Sequence, residues 1–228
     1  MAGLCPVTLR KVFALKTVRI YYEKKGRMKF MSHLDMNRFM SRIIAKSKIP
    51  VWYTEGFNQR IYVNFAVPLS LGYEGLYEIL EIRLIDDEFS LSNCLNALKS
   101  VAPPDILFYD IKEPILPFKE IGFAEFKLNL ENLKNKDKEN LMAFLSRDSI
   151  VCEKKGKKGK IKVIDIIPKI RSFSLDGEIL TLRLVAGTED NLNPSLVMSA
   201  FFEQCEVSPV FYAVTRTLLL DKNEKEFI

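Results

Sequence analysis

The residue with the widest chemical range in this chain is its single histidine, His33. It lies in Ser32-His33-Leu34-Asp35, so a hydroxyl, an imidazole and a carboxylate fall within four positions. An imidazole titrates near neutral pH and can serve as acid or base, for RNA cleavage among other reactions, or hold a phosphate. The same residues also suit a structural task. Ser32 is a good helix N-cap, and Asp35 falls in the first turn, where a carboxylate favours the positive end of the helix dipole. Adjacent side chains at a helix start diverge, so this spacing alone does not make a nucleophile–base–carboxylate triad. His33 is the candidate catalytic residue, and a capping cluster is the competing reading.

A second set of candidates follows at Glu55-Gly56-Phe57-Asn58. Glycine and asparagine tolerate positive φ, so this is either a ligand loop or a plain turn. Around it stand Trp52, Tyr53, Arg60 and Tyr62. Exposed aromatics beside arginine are what stacking on unpaired bases requires, whereas aromatics in strands commonly belong to the core. The third set is the lysine–glycine run holding Lys154, Lys155, Lys157, Lys158 and Lys160. Its glycines would let backbone and ammonium groups approach phosphates, but it lacks the G-x-x-x-x-G-K-[ST] order of a P-loop. A solvated hairpin tip explains it equally. Asp165, in an otherwise apolar stretch, reads as a satisfied buried carboxylate or a site residue.

Charge is unevenly distributed. Residues 1–60 hold 13 basic and 3 acidic side chains, whereas residues 61–118 hold 3 basic and 9 acidic. Lys24, Lys25, Arg27, Lys29, Arg38, Arg42 and Arg60 supply much of the first excess, and the 154–171 stretch supplies a second. Such asymmetry could steer a polyanion to one face, or simply provide solvated surfaces. Cys5, Cys94, Cys152 and Cys205 form no C-x-x-C, so reduced thiols in a cytoplasm are expected, with no zinc site and no cofactor. No apolar run is long enough to span a membrane, and residues 1–17 lack the pattern of a signal peptide.

These residues need elements to position them. Alternation predicts extended structure over 19–30 with a turn at Lys25-Gly26. Met36, Phe39, Met40, Ile43 and Ile44 fall at helical spacing over 34–47, with Arg38, Arg42 and Lys46 on the opposite face. Strands follow over 60–67 and 77–85, a helix after Ser90, and a strand over 106–111. The second half repeats the pattern: a strand over 122–130, a helix over 136–146, and a ribbon around the lysine loop. A hairpin then turns at Asp176-Gly177, a helix starts at Asn193-Pro194, and a strand covers 210–220. Each half reads β-α-β-β-α-β. The expected fold is α+β, two tandem ferredoxin-like domains at 18–113 and 120–228, with an extension at 1–17 and a linker at 114–119.

The stretch from Val18 to Gly72 resembles a bacterial family, domain of unknown function 2344, also called radical SAM-linked proteins. The resemblance rests on Lys24, Gly26, Lys29, Phe30, Ser32, His33 and Asp35 in K-x-G-x-x-[RK]-F-x-S-H-x-D. It continues with Tyr53, Glu55, Gly56, Phe57 and Asn58, then Pro68-Leu69 with Gly72, the lysine run with Asp165, and Thr215-Arg216-Thr217. The chain has Gln59-Arg60 where the family usually has Pro-His, so a role needing a second histidine does not carry over. The resemblance implies a radical SAM partner and weakly suggests an RNA-related context. It supplies no reaction, and the chain lacks the C-x-x-x-C-x-x-C run that holds a radical SAM cluster. The leading expectation is a cytoplasmic, non-catalytic RNA-binding or substrate-presenting module. The alternatives are a single-histidine, metal-independent endoribonuclease, by analogy of fold with CRISPR repeat-processing proteins, and a protein–protein adaptor.

Overall fold

The structure, a computed structural model, describes residues 15–155, 161–187 and 190–228. Thr17 to Tyr22 is rich in β-branched and aromatic residues, which suit a pleated strand, and forms the middle of β1 (Lys16–Lys24). Gly26 takes φ +54 and turns the chain into a 3-10 helix over Gly26–Phe30. Met28 and Phe30 therefore do not resume the strand as alternation suggested. The spacing was equally compatible with a tight turn once glycine had supplied the positive φ. Helix α1 (His33–Lys46) buries Met36, Met40, Ile43 and Ile44, with Ser32 at the N-cap.

The strand expected over 60–67 shortens to β2 (Val63–Phe65), preceded by isolated bridges from Val51 to Leu84 and Tyr53 to Ile61. The long β3 (Glu74–Leu84), α2 (Leu91–Val101) and β4 (Ile106–Lys112) complete the first half. Its strands lie in the order β4-β1-β3-β2. The second half comprises β5 (Ile121–Asn129), α3 (Asn135–Leu145), the ribbon β6 (Val151–Lys155) and β7 (Ile161–Asp165), and β8 (Ile170–Asp176). Then come β9 (Ile179–Val185), α4 (Pro194–Gln204) and β10 (Ala213–Asp221). Its strands lie in the order β10-β5-β9-β8, with β6 and β7 forming a separate two-stranded sheet. The molecule is thus a mixed α+β protein whose described residues form four helices and one large, mostly antiparallel sheet.

The halves meet edge to edge. Strand β3 offers one edge to both β2 and β10: residues 80–82 pair antiparallel with β2, and Glu74 and Gly75 pair parallel with Thr215 and Arg216. Both faces of β1 are buried as a result of what covers them. Val18, Ile20 and Tyr22 face α1 and α2, in one core with Leu80, Ile82 and Leu84. Tyr21, Tyr77 and Ile79 face the other way and join the second half's core. There Arg19 donates to Glu81 at 2.6 Å and to the Leu116 carbonyl at 2.6 Å, and its guanidinium lies 4.6 Å from the Phe227 ring centre. The 114–120 segment and the chain end therefore lie over the first half's reverse face.

Candidate functional site

Ser32 and Asp35 direct their side chains to each other. The Ser32 hydroxyl accepts from the Asp35 backbone N–H at 3.2 Å and donates to the Asp35 carboxylate at 2.7 Å. That reciprocal arrangement satisfies the helix start and takes Asp35 away from the imidazole. His33 is exposed, its ring edge against Phe65 at 5.3 Å between centres. No serine–histidine–aspartate relay exists in this arrangement.

Beneath His33 lies a buried charged cluster. On the helix-facing side of β1 the apolar stripe Val18, Ile20, Tyr22 ends in Lys24. On β3 the stripe Leu84, Ile82, Leu80 ends in Glu78. Lys24 is 3% exposed, Glu78 4% and Arg216 2%. Arg216 of β10 grips Glu78 with both ends of its guanidinium, at 2.9 and 2.6 Å, and donates to the Val67 carbonyl at 2.7 Å. Gly75 makes room for this, since a Cβ there would collide with the Glu78 side chain. Lys24 has no hydrogen-bond or ion-pair partner among the described residues. Burial holds its pKa below the usual lysine value, against the opposing pull of Glu78 and with a further lowering by Arg216. Tyr22, paired in register with Glu78, has its hydroxyl pKa pushed well up, by burial first and by Glu78 second. A narrow cleft of about 20 Å³ lies among Tyr22, Lys24, His33, Phe65, Leu69 and Glu78.

Lys24 was expected on an anion-binding surface, and the structure corrects this: its place on the inward side of β1 buries it. Sequence reasoning missed Glu78, and it noted Arg216 only within the family resemblance, without a role. A usable signal was present, because Glu78 shares the inward parity of Leu80, Ile82 and Leu84.

The 51–62 segment forms an exposed hairpin. Trp52 donates its backbone N–H to the Arg83 carbonyl at 2.7 Å, and Thr54 and Arg60 close the loop through two hydrogen bonds of 2.8 and 3.1 Å. Trp52 and Tyr62 lie with ring centres 6.0 Å apart, and the Arg83 guanidinium sits 5.3 Å from one and 4.4 Å from the other. Tyr53 is exposed and Phe57, at the tip, is wholly so at 108%. Glu55, Gly56, Asn58 and Arg60 are exposed with it. Phe57 and Tyr53 are therefore surface aromatics and form no part of the core.

The other basic candidates divide. Lys25 pairs with Glu23 at 2.7 Å, Arg27 with Asp105 at 3.8 Å, Lys29 with Glu74 at 3.4 Å, and Arg38 with Asp35 at 3.5 Å. Arg42 and Arg60 are exposed and have no ion pair among the described residues. The charge asymmetry along the chain has a structural origin in part: basic β1 lies beside acidic β3, as in the Arg19–Glu81 pair, and Lys16 pairs with Glu113 just after β4. Lys154 and Lys155 close β6, where Lys154 is in register with Lys162. Lys157, Lys158 and Lys160 lie outside the described residues. Asp165 staples the ribbon's base, accepting the Ile150 and Ile167 backbone N–H groups at 3.0 Å each, which hold its pKa below the usual carboxylate value. Among the described residues no three histidine, cysteine, aspartate or glutamate side chains converge as metal ligands, and no helix is long and apolar enough to cross a membrane.

The chain belongs to the family of uncharacterized proteins conserved in bacteria, domain of unknown function 2344, whose pattern matches residues 17–194. No curated protein matches it in sequence. Among solved structures, a chain of the Cbf5–Nop10–Gar1 complex is 9% identical with a TM-score of 0.45, the match covering 89% of this chain and 48% of that one. This chain thus spans about half the length of that match. A proposed glycine cleavage system transcriptional repressor is 10% identical with a TM-score of 0.25, covering 91% and 99% respectively. Similarity at this level carries no functional argument.

Proposed function

We propose that this family member is a non-catalytic module that binds a single-stranded segment of RNA and presents it to a partner enzyme. It is built as two ferredoxin-like units, residues 18–113 and 120–228, joined through 114–119. The resemblance implies that the partner is a radical SAM protein. The observation that supports this reading is the 51–62 hairpin. It holds Trp52 and Tyr62 against the Arg83 guanidinium and carries Tyr53, Phe57 and Arg60 exposed on the same loop. Exposed aromatic rings beside an arginine are the side chains that stacking on unpaired bases requires. Base stacking on such rings is worth about 1–3 kcal/mol per base, and neighbouring arginine adds a cation for the backbone.

Fluorescence anisotropy with a short unstructured RNA tests the reading. Binding in ~100 mM salt that weakens as salt rises, and that Phe57→Ala reduces, supports it. Salt-independent binding, or none, ends it. The endoribonuclease reading has no such support: His33 contacts Phe65, and Asp35 is engaged by Ser32.

The adaptor reading rests on a different observation, an open cleft of about 430 Å³ at the junction of the halves. Phe30, Leu71 and Phe211 stand exposed around it, with Tyr73 and Tyr212 in its wall. A partner that remains bound after Phe57→Ala but is released by Phe211→Ser would favour it.

A further inference from the structure

A buried ammonium without a counter-charge is costly, and proteins normally pair it or neutralise it. The Lys24 side chain makes no hydrogen bond or ion pair among the described residues, and Glu78 attracts it only at longer range. Lys24 is 3% exposed, and the nearby carboxylate, Glu78, already accepts two hydrogen bonds from Arg216. No acceptor for the Lys24 ammonium exists among the described residues. Glu78 and Arg216 largely cancel each other, so the cluster keeps an uncompensated positive charge at Lys24.

That charge faces an opening. Lys24 lines the cleft beneath His33, together with Tyr22, Phe65, Leu69 and Glu78, whose carboxylate oxygens are both engaged by Arg216. One wall is the start of α1, contributed by Met31, His33 and Met36. α1 has 14 residues, so its dipole leaves partial positive charge at this end. The Asp35 N–H is taken by Ser32 Oγ, and the Met36 N–H by the Ser32 carbonyl at 2.8 Å. The His33 and Leu34 N–H groups precede these and have no helical partner. The exposed imidazole of His33 stands at the mouth. The volume, about 20 Å³, admits one water-sized group, so a ligand would enter by a single oxygen.

We infer that this cleft is a phosphate subsite, in which one phosphate oxygen reaches the Lys24 ammonium while the helix start and the His33 imidazole take the oxygens left at the mouth. Three donors converge there, the Lys24 ammonium, the free N–H groups of the helix start and an imidazole N–H, and a tetrahedral anion can use all three at once, whereas a planar carboxylate fills fewer of them. Asp35 does not block the site, because its carboxylate is turned to Ser32 and Arg38. The inference does not depend on the RNA reading. A phosphorylated small molecule and a terminal nucleotide phosphate share this chemistry.

The chain supplies its own reporter. His33 is the only histidine, so its imidazole proton resonances need no assignment. The experiment titrates inorganic phosphate into the full chain at constant ionic strength and follows those resonances, with acetate as a parallel arm. The expected result is a saturable shift with phosphate and a weaker response to acetate. Lys24→Met, which keeps the side chain's volume, should lower phosphate affinity about 10-fold or more, the size expected for loss of a charge-assisted bond. A terminal-phosphate oligonucleotide and a sugar phosphate, compared at the same site, then separate the two sources. An unresponsive His33 in the wild type overturns the inference, and so does an equal response in Lys24→Met. The wild-type titration remains decisive even if the variant fails to fold.

Discussion

The segment between α1 and β2 and the segment between α3 and β8 occupy the same place in the strand order of their halves. Each is a hairpin inserted after the first helix, yet they are built differently. The 51–62 hairpin is tied to the sheet by the Val51–Leu84 bridge and the Trp52 hydrogen bond to Arg83, and its Trp52 and Tyr62 rings pack against the Arg83 side chain. The β6–β7 ribbon forms its own two-stranded sheet, held at the base by Asp165 and by Gln204, which donates to the Val151 carbonyl at 2.8 Å. Val151, Ile161 and Val163 are exposed on it. The same place in the chain order therefore carries two different surfaces, an aromatic hairpin joined to the large sheet and a lysine-bearing ribbon outside it.

Variants can break or sharpen that contrast. The largest effect is expected at the joint that holds the two halves together. Arg216→Met leaves the Glu78 carboxylate buried and unpaired, and should cost about 3–5 kcal/mol in chemical denaturation. A loss under about 1 kcal/mol would mean that the halves do not depend on this pair. Next comes the platform. Phe57→Ala should weaken RNA binding by about 1–3 kcal/mol while leaving the melting temperature unchanged, because the ring touches solvent. A parallel fall in stability would instead make Phe57 a structural residue.

Ser32→Ala removes the cap of α1 and should cost about 0.5–2 kcal/mol of stability. Asp165→Asn tests the base of the arm through pH. The Asp165 carboxyl titrates below its unfolded value, so its contribution is present above that value and is lost as pH falls through the folded one. The stability gap between wild type and variant should therefore close in acid, and a gap that persists there would exclude the backbone hydrogen bonds as its source. The smallest effect belongs to one charge of the arm. Lys162→Gln should reduce the salt slope of RNA binding by about 0.7, with little change in its stacking component.

The residues differ in how far they could be read from sequence. The Ser32 cap of α1 and the Asn193-Pro194 start of α4 were legible because caps are local and depend on one or two side chains. The strands were legible through alternation. The 3-10 helix at 26–30 was not, because three or four residues carry too little periodicity to oppose a strand. The joint was not legible either. The Glu78–Arg216 pair spans 138 positions, and neither residue looks unusual until β10 is laid beside β3. Lys24 illustrates the same limit: its charge suggested a surface, and only the pairing of β1 with β3 and β4 turns it inward. The local charge excess was visible, but its partial neutralisation by the neighbouring acidic strand β3 is a tertiary fact.

The central claim is that unpaired bases stack on the 51–62 hairpin, and Trp52 can report on it directly because it is the only tryptophan in the chain. Its emission should be quenched as a short unstructured RNA is added in ~100 mM salt, and should recover as salt rises and counterions compete. Emission that stays constant at RNA concentrations giving full binding by anisotropy would place the RNA elsewhere and contradict the account.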